Sequence, residues 1–234
     1  MSGAGRSLRV EERADGVLAL WLDRPEARNA LDHALVSALQ EAFATSGVRA
    51  FVLGTSDPRC FCAGADLRMP DAERAVLSDR LYELYRVMVC APAPIVAAIE
   101  GPAIGGGAQL ALASDLRIGS PTARFRFPGP GHGLSVGAWG LPSLVGRGRA
   151  VELCLTMRTV DAEEALRIGL LERLEPDVRS SALAVAAAIA QLDAAAAARV
   201  KSVARVATGL LAALDAEREG NAPWSGSVEG LARS

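Results

Sequence analysis

The sequence predicts an α/β fold, and three observations support this prediction. Short apolar runs alternate with amphipathic segments as far as about residue 120, which is typical of strands and helices sharing one core. Beyond that point the periodic segments are almost all helical. The 234 residues are 50% apolar, which provides enough apolar side chain for a sizeable core and excludes a disordered chain.

Each predicted element follows from a local pattern. Strands are predicted where short apolar runs are bounded by turn residues: residues 8–12, 17–22, 50–54, 95–99 and 116–118. Helices are predicted where apolar side chains recur at helical spacing: from the N-cap Asp32 to Phe43, from Ser78 or Asp79 to just before Pro92, and over residues 108–113, 149–156, 161–168, 180–192 and 194–208. We expect a core over residues 1–190. A C-terminal helical region with a short tail is expected over residues 191–234, loosely ordered from Gly220 onward.

The charged and reactive residues exclude several classes of function. With 25 basic and 27 acidic residues the net charge is −2, so neither nucleic acid nor an anionic membrane is an expected partner. Lys201 is the only lysine, which argues against Schiff-base chemistry, and two histidines make a metal site unexpected. The four cysteines have neither zinc-site nor CxxC spacing and are predicted to be reduced thiols. No secretory signal or membrane span is predicted, so a cytoplasmic location is expected.

Two glycine-containing turns are the first chemical signal. Residues 61–67 (FCAGADL) and 101–107 (GPAIGGG) each follow a predicted buried strand. Small residues there allow a ligand to approach the backbone and leave N–H groups free, and Gly106 is placed at the positive end of a helix. Two such N–H groups are suited to an oxyanion hole for a thioester carbonyl. A dinucleotide site is the alternative, but the third glycine of its fingerprint is replaced by Leu110.

Several separated motifs occur in a recognisable order: residues 24–31 (RPEARNAL), 61–67, 94–107 (PIVAAIEGPAIGGG), 113–117 (ASDLR) and 163–170 (EEALRIGL). Over residues 8–205 the sequence resembles the crotonase superfamily, the enoyl-CoA hydratase/isomerase family. The resemblance implies a crotonase-like spiral of ββα units with a helical C-terminal trimerisation region. It also implies an acyl-CoA thioester as ligand, no separate cofactor, and a homotrimer or hexamer.

The resemblance further implies where the ligand binds. The oxyanion hole of the family corresponds to the backbone N–H groups of Ala65 and Gly106. The coenzyme A site corresponds to residues of two loops: Arg24, Arg28, Ala30, Ala63, Asp66, Leu67 and Arg68. In a chain with one lysine, the arginines are the candidates for phosphate contacts. The basic, aromatic C-terminal segment with which many relatives complete a neighbour's site is not found in this sequence.

The two acids of the hydratases are missing at the corresponding positions. Hydration requires one carboxylate to activate water and one carboxylic acid to protonate the α-carbon. The first position is occupied by Gln109 and the second by Gly129, while a third acidic position of some relatives corresponds to Gly137. An amide does not exchange a proton at neutral pH, and glycine has no side chain.

Other residues could replace these acids. His132 is the titratable residue of the same loop with an ordinary pKa near neutrality, so it is either a catalytic base or a hydrogen-bonded loop histidine. A triad of His132, Asp115 and Ser135 is disfavoured, because no nucleophile-elbow motif surrounds the serine. Tyr82, Tyr85 and Trp139 are candidates for an acyl pocket, or simply for the core.

Two functions therefore remain open. The first is an acyl-CoA-binding protein of fatty-acid or related metabolism without standard hydratase activity, serving as a carrier, a sensor or a partner of lipid-synthesis enzymes. The second is an active acyl-CoA enzyme, such as a hydratase, isomerase, decarboxylase or thioesterase, that uses non-standard residues.

Overall fold

The main sheet of the protein has six strands, in a computed structural model that describes residues 7–228. In spatial order they are β1 (Leu8–Glu12), β2 (Val17–Leu22), β3 (Ala50–Thr55), β4 (Ile95–Ile99), β6 (Leu116–Gly119) and β9 (Arg173–Leu174). The pair β1–β2 is antiparallel and every other neighbouring pair is parallel. The predicted α/β class is confirmed, and the first two predicted strands form an antiparallel hairpin.

A second, three-stranded sheet lies beside the glycine turns. It contains β5 (Pro102–Ile104), β7 (Arg124–Arg126) and β8 (Val160–Asp161), in that order. Of two isolated bridges, Cys62 with Ala103 joins the first glycine turn to β5, and Leu31 with Ala65 joins it to the segment that precedes the first α-helix. The helices are α1 (His33–Phe43), α2 (Asp71–Cys90), α3 (Gly106–Ala113), α4 (Leu141–Val145), α5 (Arg147–Thr156), α6 (Ala162–Ile168), α7 (Val178–Ala190), α8 (Ala194–Ala207) and α9 (Leu210–Asn221). The last three follow the final strand.

The central strands are apolar throughout because both faces of the sheet are covered. Every residue of β2, β3 and β4 is buried. One face packs against α1, α2 and α3, and the other packs against the alanine-rich helix α7. Such continuous burial is characteristic of parallel sheets between helical layers.

Helix α2 begins earlier than the sequence analysis predicts. It starts at Asp71 rather than at Ser78 or Asp79, so the expected N-cap residues lie inside the helix. Asp71 and Glu73 in the first turn interact favourably with the helix dipole. Arg74 fixes this turn, because its guanidinium donates to the carbonyl oxygens of Leu67 and Met69 and pairs with Asp71.

The C-terminal region also differs from the prediction of a loose tail from Gly220. Helix α9 was not predicted; it includes Gly220 and buries Leu214 and Glu217. The chain beyond α9 is attached to the body, since the carbonyl of Gly226 accepts a 2.8 Å hydrogen bond from Nε of Arg74. Residues 229–234 of the predicted tail lie outside the described residues. The predicted division near residue 190 stays a prediction.

Taken one at a time, the helices of residues 7–228 lack the length and hydrophobicity of a membrane span. Helices α7 and α8 meet those criteria only as a pair, and they are bent by 112° at their junction.

Candidate active site

The two glycine turns lie side by side. The N–H of Ile104 donates to the carbonyl of Cys62 at 2.9 Å, and the carbonyl of Gly64 accepts from the N–H of Leu31 at 2.7 Å. A Cβ built on Gly64 would lie 3.3 Å from the backbone nitrogen of Gly106. The turn that ends in Ala65 therefore adjoins the first residue of α3.

The N–H groups of Ala65 and Gly106 have no acceptor among the described residues. Gly106 opens α3, so its N–H is at the positive end of a helix dipole. Close approach of the two turns depends on Gly107, where an added Cβ would lie 2.2 Å from the carbonyl oxygen of Cys62. This arrangement can bind one oxygen atom that carries negative charge.

A cavity of about 360 Å³ opens in front of these N–H groups. Its walls are the turn at residues 63–67, the inner face of α2, the start of α3, the segment 126–136, and Trp224 and Val228 of the C-terminal segment. The cavity brings together seven of the twelve residues that sequence analysis selected for the oxyanion hole, the coenzyme A site and proton transfer: Ala63, Ala65, Leu67, Gly106, Gln109, Gly129 and His132. The remaining five do not line it: Arg24, Arg28, Ala30, Asp66 and Arg68.

These five residues form the neighbouring loop pair. Asp66 joins Arg24 at 3.3 Å and Arg68 at 2.9 Å, and hydrogen bonds from Arg68 lower the pKa of Asp66 to about 2. Arg24 also donates to the carbonyl of Ala30, so a phosphate contact from Arg24 would cost these internal bonds. The side chain of Arg28 is exposed and has no hydrogen-bond or ion-pair partner among residues 7–228, which leaves its charge free for an anion.

A buried asparagine that sequence analysis did not select holds this loop. The amide of Asn29 donates to Thr55 Oγ1 at 2.8 Å and to the carbonyl of Cys60 at 2.9 Å. Cys62 donates from Sγ to the carbonyl of Asn29, and burial raises the pKa of this thiol to about 12. The prediction that the cysteines are reduced is consistent with the four free thiols, of which Cys90 alone is exposed.

Gln109 lies on the cavity wall with a fixed side-chain orientation. Its Oε1 accepts a 2.7 Å hydrogen bond from the indole N–H of Trp139. The Trp139 ring stacks on Tyr85 with a centroid separation of 6.1 Å, and the Tyr85 hydroxyl donates to the carbonyl of Gly106 at 3.1 Å. Tyr85 and Trp139 are buried and do not line the cavity, whereas Tyr82, the third aromatic candidate for an acyl pocket, lies in its wall.

Gly129 occupies a position with no room for a side chain. A Cβ there would lie 2.5 Å from Cγ2 of Val136 and 2.8 Å from the carbonyl oxygen of Leu134. At Gly137 the φ is +86° and an added Cβ would lie 2.6 Å from the ring of Phe127. The loop is therefore packed too tightly at Gly129 and Gly137 to accept a side chain without movement of its neighbours.

A buried carboxylate anchors this loop, and sequence analysis missed it. Glu217 of α9 accepts hydrogen bonds from the N–H groups of Gly137 at 3.1 Å and Trp139 at 3.0 Å, and from the Tyr82 hydroxyl at 2.9 Å. Burial raises the pKa of Glu217 to about 7, although these donors oppose the shift. In the sequence, Glu217 stands among other charged residues, so nothing local distinguishes it from a solvent-exposed glutamate.

His132 and Asp115, two members of the triad considered in the sequence analysis, lie in different cavities. Nδ1 of His132 is buried and has no partner among the described residues, and burial followed by the charges of Arg126 and Arg74 lowers the pKa of its ring. Asp115 instead pairs with Lys201 at 2.8 Å in a different cavity, formed with α8. The arrangement does not assemble a triad with Ser135.

Comparisons with known proteins agree with this architecture. Residues 12–223 match the family model described as enoyl-CoA hydratase/isomerase. The chain is 45% identical over 186 residues to a Mycobacterium tuberculosis protein named probable enoyl-CoA hydratase echA6, covering 77% of this chain and 75% of that protein. Among solved structures, it superimposes with a TM-score of 0.82 on an enoyl-CoA hydratase from Mycobacterium avium subsp. paratuberculosis K-10, at 28% identity and covering 93% of this chain and 89% of that one.

A second solved structure gives the same result. An enoyl-CoA hydratase from Bacillus anthracis superimposes with a TM-score of 0.81 at 28% identity, over 92% of this chain and 89% of that one. The match spans both sheets, the paired turns and most of the helical C-terminal region. The chain is a member of the enoyl-CoA hydratase/isomerase family, the crotonase superfamily.

Proposed function

We propose that this protein binds acyl-CoA thioesters and does not hydrate enoyl-CoA by the standard two-acid mechanism. The thioester carbonyl is held by the N–H groups of Ala65 and Gly106, and the acyl chain enters the 360 Å³ cavity. Arg28 is the nearest uncommitted arginine of the loop pair for a coenzyme A phosphate, with Arg68 a second candidate.

One observation supports this proposal above the others. The cavity retains its two free N–H groups, yet no aspartate or glutamate lines it among residues 7–228. A thioester carbonyl gains from the N–H groups without any proton transfer, whereas hydration requires two carboxyl groups within reach of the substrate. Binding is therefore favoured over hydration.

An acyl-CoA reaction that needs fewer protein acids is the second candidate. Decarboxylation and thioester hydrolysis both generate an oxyanion that paired N–H groups can stabilise. The observation in its favour is the unpartnered Nδ1 of His132 in the cavity wall, which leaves an imidazole nitrogen uncommitted.

The two candidates are separated by measuring binding and turnover together. The protein is incubated with crotonyl-CoA and with a longer 2-enoyl-CoA, and affinity is measured by calorimetry while products are followed by chromatography. Binding of both thioesters without product is the expected result. Turnover that is lost in His132→Ala would contradict a role in binding alone.

The two N–H groups can be tested through Gly106. Proline is accepted at the first position of a helix but has no N–H, so Gly106→Pro is expected to weaken acyl-CoA binding by about tenfold or more. Gly106→Ala is the control, because it keeps the N–H and its Cβ would meet side-chain atoms at 3.3 Å. Unchanged acyl-CoA affinity in a folded Gly106→Pro variant would show that the N–H of Gly106 does not bind the thioester carbonyl.

We also infer that the protein assembles as a homotrimer. Helix α8 has no buried residue, and Val200, Val203 and Val206 on it are 72%, 68% and 73% exposed. Apolar side chains at this spacing on an uncovered helix are typical of a subunit interface. Sedimentation of the purified protein is expected to give three chains per particle, and Val203→Glu is expected to give smaller particles.

A further inference from the structure

The side chain of Gln109 presents hydrogen-bond donors to the cavity. The indole N–H of Trp139 is a donor only, so its 2.7 Å partner must be Oε1 of Gln109. The amide nitrogen is therefore on the other side, and it has no acceptor among the described residues. Where the family places a carboxylate, this cavity has two N–H donors.

Arg126 supplies a positive charge to the same wall. It is the last residue of β7; its Nε donates to the carbonyl of Met157 at 2.8 Å, and both Nη atoms lack a partner within residues 7–228. Backbone bonds place it beside Gln109: Gly105 donates to the carbonyl of Arg126 at 2.9 Å, and Gln109 donates to the carbonyl of Gly105 at 3.0 Å. Both side chains thus originate next to Gly106.

The charge of Arg126 is not compensated within the cavity. Arg74, the other arginine of the lining, is committed to Asp71 and to three backbone carbonyls. The described lining contains no acidic side chain. The lowered pKa of His132, caused by burial and then by Arg126 and Arg74, is consistent with a positive potential at this place.

We propose that the cavity selects acyl thioesters whose acyl chain itself carries a carboxylate, which pairs with the two free Nη atoms of Arg126 and accepts from the amide of Gln109. This inference rests on the proposed function, because it needs the thioester to bind beside Gly106. A planar guanidinium with two free N–H groups matches the two oxygens of a carboxylate, and an ion pair is stronger in a partly enclosed cavity than in water. The alternative partner for Arg126 is a phosphate group of coenzyme A, which belongs to the same ligand.

Three ligands distinguish these two anions by titration calorimetry on the full-length protein. Glutaryl-CoA and pentanoyl-CoA have the same acyl length and differ in the terminal carboxylate, while coenzyme A lacks the acyl chain. We expect glutaryl-CoA to bind about tenfold or more tightly than pentanoyl-CoA. Arg126→Met should lower the affinity for glutaryl-CoA much more than the affinities for pentanoyl-CoA and coenzyme A, so most of this ratio should be lost.

The control is Arg124→Met on the same strand. Arg124 donates to the carbonyls of Pro121 and Ala123 and does not line the cavity, so the ratio should persist in this variant. Should Arg126→Met fail to fold by its thermal transition, Arg126→Lys keeps the charge without the paired nitrogens and should retain only part of the ratio.

Each other outcome has a distinct meaning. Equal affinities of the wild type for glutaryl-CoA and pentanoyl-CoA would overturn the carboxylate proposal and leave acyl-CoA binding intact. Equal weakening of all three ligands by Arg126→Met would assign Arg126 to the phosphates and would also overturn it. Absence of binding by any thioester would overturn the proposed function, and this inference with it.

Discussion

The start of α3 and the loop at residues 127–137 both line the cavity, but they differ in how much room they leave for a side chain at positions 109 and 129. At the start of α3, Gln109 has the size and shape of a glutamate and keeps an oxygen on the Trp139 indole. In the loop, the backbone is folded so tightly that Gly129 has Val136 and Leu134 in the place of a side chain. Gln109 differs from a glutamate only in its terminal amide, whereas Gly129 has no room for a side chain.

This difference affects how the chemistry could be restored. Reversal of Gln109 to glutamate is a substitution of one atom in a preformed environment. A side chain at Gly129 requires Val136 or the carbonyl of Leu134 to move, and that loop is held from behind by Glu217 and Tyr82. A carboxylate is therefore harder to place at Gly129 than at Gln109.

The largest expected effect concerns the anchor of the loop. The pKa of Glu217 is raised from 4.5 to about 7 on folding, so the folded state binds the proton more tightly than the unfolded state. Through the Glu217 carboxyl, the wild type should lose up to about 3 kcal/mol of stability as pH rises from about 4.5 to 7. In Glu217→Gln this loss should be absent, as measured by urea unfolding at several pH values.

The exposed Glu219 on the same helix provides the matched control. Glu219→Gln should keep the pH dependence of the wild type. If the stability of Glu217→Gln depended on pH as that of the wild type does, another group would be responsible. Burial would then not raise the pKa of Glu217.

A smaller effect is expected from filling the closed loop. Gly129→Ala should destabilise the protein by about 1–3 kcal/mol, because overpacking displaces Val136 or the carbonyl of Leu134. Gly148→Ala is the control, since an added Cβ meets nothing within 4 Å on α5 and helical alanine is favoured over glycine. A Gly129→Ala variant as stable as the wild type in urea would show that the loop can admit a side chain.

The smallest effect on stability is expected at the first acid position. At acidic pH, where the new carboxyl is protonated, Gln109→Glu should change the free energy of unfolding by less than about 1 kcal/mol, because a group of the same shape still accepts from Trp139. At neutral pH the charge of the carboxylate should reduce binding of glutaryl-CoA, with Gln109→Met as the uncharged control of similar size. An unfolded Gln109→Glu variant would show that position 109 tolerates a carboxyl group no better than position 129 tolerates a side chain.

Much of the fold follows from local sequence. The five predicted strands are found at or within two residues of their predicted bounds, because apolar runs between turn residues have few alternatives. The start of α2 was wrong since Pro70 and the acids of the first turn outweigh the later Ser78 and Asp79 signal. Helix α9 was missed because its burial depends on α2 and on the loop at residues 135–139.

The sequence by itself determined the α/β class, the two glycine turns, the glutamine at position 109 and the glycine at position 129, and the scarcity of lysine and histidine. Only the tertiary structure decided which residues support the site. Tyr82 and Glu217 are 135 residues apart, and Gly137 and Glu217 are 80 apart, so no local pattern indicates that they meet. The orientation of the Gln109 amide is likewise set by Trp139, which lies 30 residues further along the chain. Arg126 keeps both Nη atoms free because folding brings only the carbonyl of Met157 within hydrogen-bond distance of its side chain among the described residues.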